Sequence, residues 1–168
     1  MFRRRTNRLN SHIYEGNYWY FVTICTQEKS KIFGSVVNGE MVLNKIGNVI
    51  QSKITQLPNI YNIHVDQFIV MPNHVHLMIG NNTISLSRII AGFESFATKE
   101  VKQLVAESSR FPCGDREAYA TALLLNNHNT LWQKSFYDHV IRSDRDLSRV
   151  REYINNNPLQ WELDEYFT

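Results

Sequence analysis

The order of the periodic segments predicts an α+β fold: a ferredoxin-like (RRM-like) antiparallel sheet with helices on one face and an additional C-terminal helix that carries Tyr153. Three observations lead there. Strand-like and helix-like stretches follow one another as β-(hairpin)-α-β-β-α-β-α, the split β-α-β pattern with one helix added. An apolar run from Val70 to Gly80 is interrupted at alternate positions by His74 and His76, which puts both imidazoles on one face of a strand. The last periodic segment, Ser143 to Asn157, has a narrow apolar stripe and stops at Pro158, as expected of a short helix laid on a sheet.

Taken in chain order, Tyr18 to Thr26 is rich in aromatic and β-branched residues and reads as a central strand. The segment G-S-V-V-N-G-E-M-V-L, with its Asn38-Gly39 dipeptide, reads as a hairpin. Asn44 to Leu57 places Ile46, Val49, Ile50 and Ile54 at helical spacing and is expected to stop before Pro58. Asp66 to Met71 is a strand, and Pro72-Asn73 turns the chain into the histidine strand. Ser85 to Ala106 is a second helix, opened by Ser85 or Ser87 and carrying Ile89, Ile90, Phe93, Phe96, Val101 and Leu104. Trp132 to Ile141 reads as the last strand. The final helix opens at Ser143, with Asp146 three residues on in a variant of the capping box, and buries Leu147, Val150 and Ile154.

In the histidine strand, Val75, Leu77 and Ile79 face a core while His74, His76 and Met78 share the other side. Two polar rings on one face are costly to bury without partners. The pair therefore reads either as a metal or acid–base site or as two solvated histidines on a half-exposed strand, and this segment does not choose. In the last helix Tyr153 and Asn157 lie four residues apart, one above the other beside the apolar stripe. They read either as a phenol and a carboxamide aimed at one patch or as a boundary tyrosine and a helix stop.

At 168 residues the chain is one domain, residues 1–168, able to bury a sizeable core, and no internal repeat or linker divides it. No run approaches the roughly 18 apolar residues of a membrane span, so no membrane partner is expected. The start is basic but leads into polar residues, unlike a secretory signal. Cys25 and Cys113 form no C-x-x-C motif, and reduced thiols in the cytoplasm are the simplest reading. The net charge of +2 says little, but its distribution says more: Arg3, Arg4, Arg5 and Arg8 form a basic arm over residues 1–12, opposite an acidic stretch from Glu162 to Glu165. Such an arm either tracks phosphates in a salt-dependent way or is a solvated terminus.

Four segments together are more specific than any of them separately: Y-W-Y-F-V-T-I-C-T (18–26), M-P-N-H-V-H-L (71–77), L-W-Q-K-S-F-Y-D-H-V-I-R (131–142) and R-E-Y-I-N-N-N-P-L-Q-W (151–161). In this order the chain resembles the HUH single-tyrosine transposases, and more narrowly the REP-associated tyrosine transposases (RAYT). It departs from their pattern between Glu107 and Thr130, where residues 107–130 read as a variable loop insertion.

The resemblance implies that His74, His76 and Asn157 hold a divalent metal and that Tyr153 attacks a phosphodiester of single-stranded or hairpin DNA, forming a covalent link to the 5′ phosphate. Two imidazoles with an amide oxygen suit exchangeable Mg²⁺ or Mn²⁺ better than closed structural zinc. Metal-dependent cleavage and strand transfer on REP-like or insertion-sequence ends is the expected activity. The alternative is a catalytically retired protein that binds DNA hairpins sequence-specifically. A histidine-triad hydrolase would need a histidine where Met78 stands, and an RNA-recognition domain would present aromatics in place of the histidines. Arg3, Arg4, Arg5, Lys134 and Arg142 are candidate DNA contacts. His139 reads as a satisfied structural histidine sooner than as one that touches DNA or orders the site, and Trp132 as a core anchor sooner than as a base-stacking platform. The expected state, monomer or homodimer, stays open.

Overall fold

In the computed structural model, residues 18–81, 84–108, 121, 125, 127–163 and 166 are described. The basic arm, with Arg3, Arg4, Arg5 and Arg8, lies outside the described residues, as do Cys113 and most of the 107–130 insertion. Four strands, β1 (Tyr18–Cys25), β4 (His64–Val70), β5 (His74–Asn81) and β6 (Tyr137–Ile141), form one antiparallel sheet in the order β4-β5-β1-β6. Helices α1 (Lys45–Tyr61) and α2 (Leu86–Ser108) make the two crossovers, as the split β-α-β pattern requires. A separate hairpin pairs β2 (Gly34–Val37) with β3 (Glu40–Leu43), and α3 (Asp144–Asn156) follows the last strand. Both residues of the hairpin's Asn38-Gly39 turn have positive φ, 53° and 76°, as a two-residue turn of matching twist demands.

The sheet is covered on both sides, which is why β1 and β5 are apolar almost throughout. Tyr20, Val22 and Ile24 of β1 and Val75, Leu77 and Ile79 of β5 pack with Ile46, Ile50, Ile54 and Leu57 of α1 and with Ile90, Phe93, Ala97 and Val101 of α2. On the reverse face Phe21, Met78 and Ile141 meet Val150 and Ile154 of α3. The histidine strand is therefore interior to the sheet, and its histidines lie on the face away from α1 and α2.

Local signals explain the element ends. Asn44 caps α1 by accepting from the Gly47 N–H at 2.8 Å, and Ser143 caps α3 by accepting from the Asp146 N–H at 3.2 Å. The helix expected to stop before Pro58 runs on to Tyr61 and ends at Asn62 in the left-handed region. Proline lacks one donor and crowds the preceding turn, but it stands in the last turn, where buried Leu57 holds the helix against the core. The strand expected from Asp66 begins at His64, with a bulge at Asp66.

The strand expected from Trp132 begins only at Tyr137. Trp132 makes a lone bridge to Thr26 and is a core residue, its rings 5.5 Å from Phe33 and 5.4 Å from Phe93, with its indole N–H donated to the Glu94 carbonyl at 3.2 Å. Burying an indole with its donor satisfied outweighs continuing a ladder, so the chain turns inward there.

Gly47 yields a prediction in which two effects compete. In a helix, Ala is ordinarily favoured over Gly by about 1 kcal/mol. A Cβ at Gly47, however, would run into the backbone carbonyl oxygen of Phe33, which cannot step aside as a side chain can. Overpacking of this kind costs about 1–3 kcal/mol, so Gly47→Ala should lower the urea midpoint instead of raising it.

Candidate active site

The site is built on the reverse face of the sheet from β5, β1, α3 and the segment after α3. His74 and His76 are 0 % and 1 % exposed, and their Nε2 atoms face one another at 3.0 Å. Each Nδ1 has its own partner. His74 Nδ1 is 2.9 Å from Asn73 Oδ1, and His76 Nδ1 is 2.8 Å from the hydroxyl of Thr23, its cross-strand neighbour on β1. Asn73 is fixed in turn, since its amide donates to the carbonyls of Lys29 at 3.1 Å and Tyr166 at 2.7 Å.

Burial holds both rings in the neutral form. Desolvation lowers His76 to about 3. It also takes His74 well below the ordinary imidazole value, helped by repulsion from His76 and opposed by a hydrogen bond to Asn157. Neutral imidazoles keep a lone pair for a metal.

Helix α3 brings the remaining candidates over the pair. The Tyr153 ring lies 5.2 Å from the His76 ring and edge-on to Phe21 at 5.8 Å, while Asn157, buried at the end of the helix, reaches His74. Strand and helix thus bring His74, His76, Asn157 and Tyr153 into one locality. Tyr137 also lies on this face, opposite Thr23 in the β1–β6 register, and packs against the same Phe21 and Met78 cluster as Tyr153.

Several contacts aim α3. Arg151 makes a two-pronged ion pair with Asp66 at 2.8 and 2.6 Å, and Asn155 accepts from Gln67 at 2.9 Å, so the helix is tied to the bulge of β4. His139 of β6 meets Asp146 at 2.8 Å, which makes it a fastener of the first turn of α3. Lys134 and Arg142 are exposed, on the loop before β6 and just after it.

Trp161 and Tyr166 complete the enclosure, the Tyr166 ring 4.6 Å and the Trp161 ring 5.9 Å from His74. Trp161, Thr23 and Asn73 lie inside the quoted segments, but none of them, nor Tyr166, was assigned a role there. A lone threonine inside Y-W-Y-F-V-T-I-C was the one available signal, because a polar residue in a central strand needs a partner. Tyr166 sits in an acidic, pattern-free tail and had none.

Two neutral imidazoles whose Nε2 atoms face one another at 3.0 Å, with the Asn157 amide reaching His74, are a mixed nitrogen and oxygen donor set that would suit a divalent ion. Among the described residues no three His, Cys, Asp or Glu side chains cluster as a metal site; Asn157, which reaches His74, is a neutral oxygen donor beside the pair.

Comparison with known proteins agrees with the fold and the motifs. The family model for IS200-like transposases matches residues 15–157. The chain belongs to that family of transposases, DNA-cleaving enzymes as a class. An uncharacterised protein of Haemophilus influenzae is 29 % identical, over 98 % of this chain and 93 % of its own length. A second protein of that species, named provisionally as a REP-associated tyrosine transposase, is 27 % identical over 84 % of this chain and 70 % of its own. A REP-associated tyrosine transposase bound to a REP hairpin shares the fold at TM-score 0.53 and 15 % identity, covering 98 % of this chain and 77 % of that one. A protein from Deinococcus radiodurans described as a transposase does so at 0.51 and 14 %, covering 93 % and 97 %. No helix among the described residues is long and apolar enough to cross a membrane.

Burial of neutral histidines has a consequence for stability. An unfolded histidine takes up a proton near pH 6.5, whereas His76 in the fold does so only near 3 and His74 is likewise depressed. The unfolded state therefore binds more protons below pH 6.5, and stability present above that pH is lost as it falls, by up to roughly 1.4 kcal/mol per pH unit per histidine. In metal-free protein, urea midpoints measured from pH 7.5 to 4.5 should decline, and His76→Gln should make the decline shallower.

Proposed function

We propose that this protein cleaves and rejoins single-stranded DNA beside a hairpin, with Tyr153 as the nucleophile and with His74, His76 and Asn157 holding Mg²⁺ or Mn²⁺. The observation that carries the reading is the placement of the Tyr153 ring 5.2 Å from one of two neutral imidazoles whose Nε2 atoms converge at 3.0 Å. Hairpin DNA as the partner is supported by the fold shared with a transposase that was bound to a REP hairpin.

In this reading the Tyr153 oxygen forms a bond to phosphorus and the bond to the leaving 3′ oxygen breaks. The phenol loses its proton and the leaving hydroxyl gains one. Strand transfer is the same exchange run with a new 3′ hydroxyl, so no bond energy is lost to water. A bound divalent cation withdraws charge from the scissile phosphate. The chain's own part is to orient the phenol: Phe21 meets the Tyr153 ring edge-on, and the Arg151–Asp66 pair holds the helix turn that carries it. A free phenol ionises near 10, so the attacking group needs both that orientation and a stabilised phenolate. Trp161 and Tyr166 cover His74, and a phosphate reaches the pair once that cover has moved aside.

The test uses a labelled hairpin with single-stranded flanks. Wild type with Mn²⁺ or Mg²⁺ should give a denaturation-resistant adduct, and Tyr153→Phe should give none while binding the hairpin as before. His76→Ala should slow adduct formation by about 10²–10³-fold with hairpin affinity nearly unchanged. Adduct that persists in Tyr153→Phe and disappears in Tyr137→Phe would transfer the role to Tyr137. Tight hairpin binding with no adduct under any metal would mark a protein that only binds.

A further inference from the structure

The hydrogen bonds around the histidine pair determine which ring nitrogens carry protons, and they distinguish the two rings. Asn73 donates both its amide hydrogens, to the carbonyls of Lys29 and Tyr166. Its Oδ1 is therefore the atom facing His74 and can only accept. His74 is thus protonated at Nδ1, and its Nε2 presents a lone pair. With His76 Nε2 only 3.0 Å away, two lone pairs would repel, so in the metal-free fold His76 carries its proton on Nε2 and donates it to His74. His76 Nδ1 is then an acceptor and receives the Thr23 hydroxyl hydrogen.

A cation between the rings needs a lone pair on both Nε2 atoms. His74 already offers one. His76 does not, and must move its proton to Nδ1, where the group 2.8 Å away has to accept instead of donate. A hydroxyl does either by rotating about one bond, which an amide or a carbonyl cannot.

We infer that Thr23 is a positioning residue whose hydroxyl reverses its hydrogen bond to His76 when the histidine pair takes up a divalent cation. The inference rests on the reading of His74 and His76 as a metal site. In the reversal one proton leaves Nε2 for solvent and one is gained at Nδ1, so the ring stays neutral and no net proton is bound or released. Thr23 is 2 % exposed on the central strand β1. Without its hydroxyl the loaded form would bury an N–H with no acceptor, whereas the metal-free form would leave only a lone pair unsatisfied. Unmet donors are the rarer and costlier of the two, so the loss falls on metal binding more than on folding.

Two measurements test this. Nitrogen-15 NMR of the imidazoles in metal-free wild type should show His74 protonated at Nδ1 and His76 at Nε2, with His76 changing to Nδ1 on saturation with Mg²⁺. Titration calorimetry with Mn²⁺ should show Thr23→Val binding about 10–100-fold more weakly than wild type, as loss of a partner behind a metal-binding histidine does. Thr23→Ser, which restores the hydroxyl, should bind within a few-fold of wild type. Thr23→Val is close in shape and keeps β-branching, and thermal melts verify that it folds. His76 already protonated at Nδ1 without metal overturns the inference, as does a folded Thr23→Val that binds Mn²⁺ as tightly as wild type. Both leave the metal reading intact. Wild type that binds no Mn²⁺ overturns the two together.

Discussion

The contact between the Nε2 atoms of His74 and His76 is what the surrounding structure is arranged around. Two imidazoles buried in a sheet interior carry four polar nitrogens, and each unpaired buried group costs about 1–3 kcal/mol. Thr23 and Asn73 take the two outward nitrogens, and the rings satisfy one another at the inward pair. That solution demands a sheet covered on its second face as well as its first. Met78, Phe21, Val150, Ile154, Trp161 and Tyr166 provide the cover. Burial then keeps the rings neutral, which suits them to bind a cation. One constraint thus sets the protonation of the pair and the architecture around it together.

Helix α3 would be a poor platform if it rested on apolar contacts alone. Its buried stripe is narrow, only Val150 and Ile154 being fully enclosed, and nonpolar packing permits sliding. Directional contacts to the sheet remove that freedom at three points along its length: Asp146 with His139 at the start, Arg151 in the middle, Asn155 near the end. A partly exposed pair such as Arg151–Asp66 contributes little to stability, yet its two-pronged geometry admits few orientations of the helix. The bulge that projects Asp66 from β4 belongs to the same device.

Sequence reading fared best where the physics is local. Alternation along β5 correctly assigned Val75, Leu77 and Ile79 to the helix-covered core and the histidines to the other side. The Ser143 cap was visible three residues before its partner. It fared worse where packing overrode local preference. Pro58 did not end α1, because the last turn stays docked through Leu57, and Trp132 left the strand pattern to fill the space between Phe33 and Phe93.

What the sequence by itself determined is therefore the class of fold, the faces of its elements and the residue types able to do the chemistry, all of which follow from periods of two and 3.6 within short windows. The tertiary structure alone decided the partners. Thr23 and His76 stand 53 residues apart, Asp66 and Arg151 85, Asn73 and Tyr166 93. No local periodicity reaches over such distances. Each of these pairs exists because a strand register, a bulge or the docking of the C-terminal segment brings two remote backbones together, and those are settled only when the whole core closes.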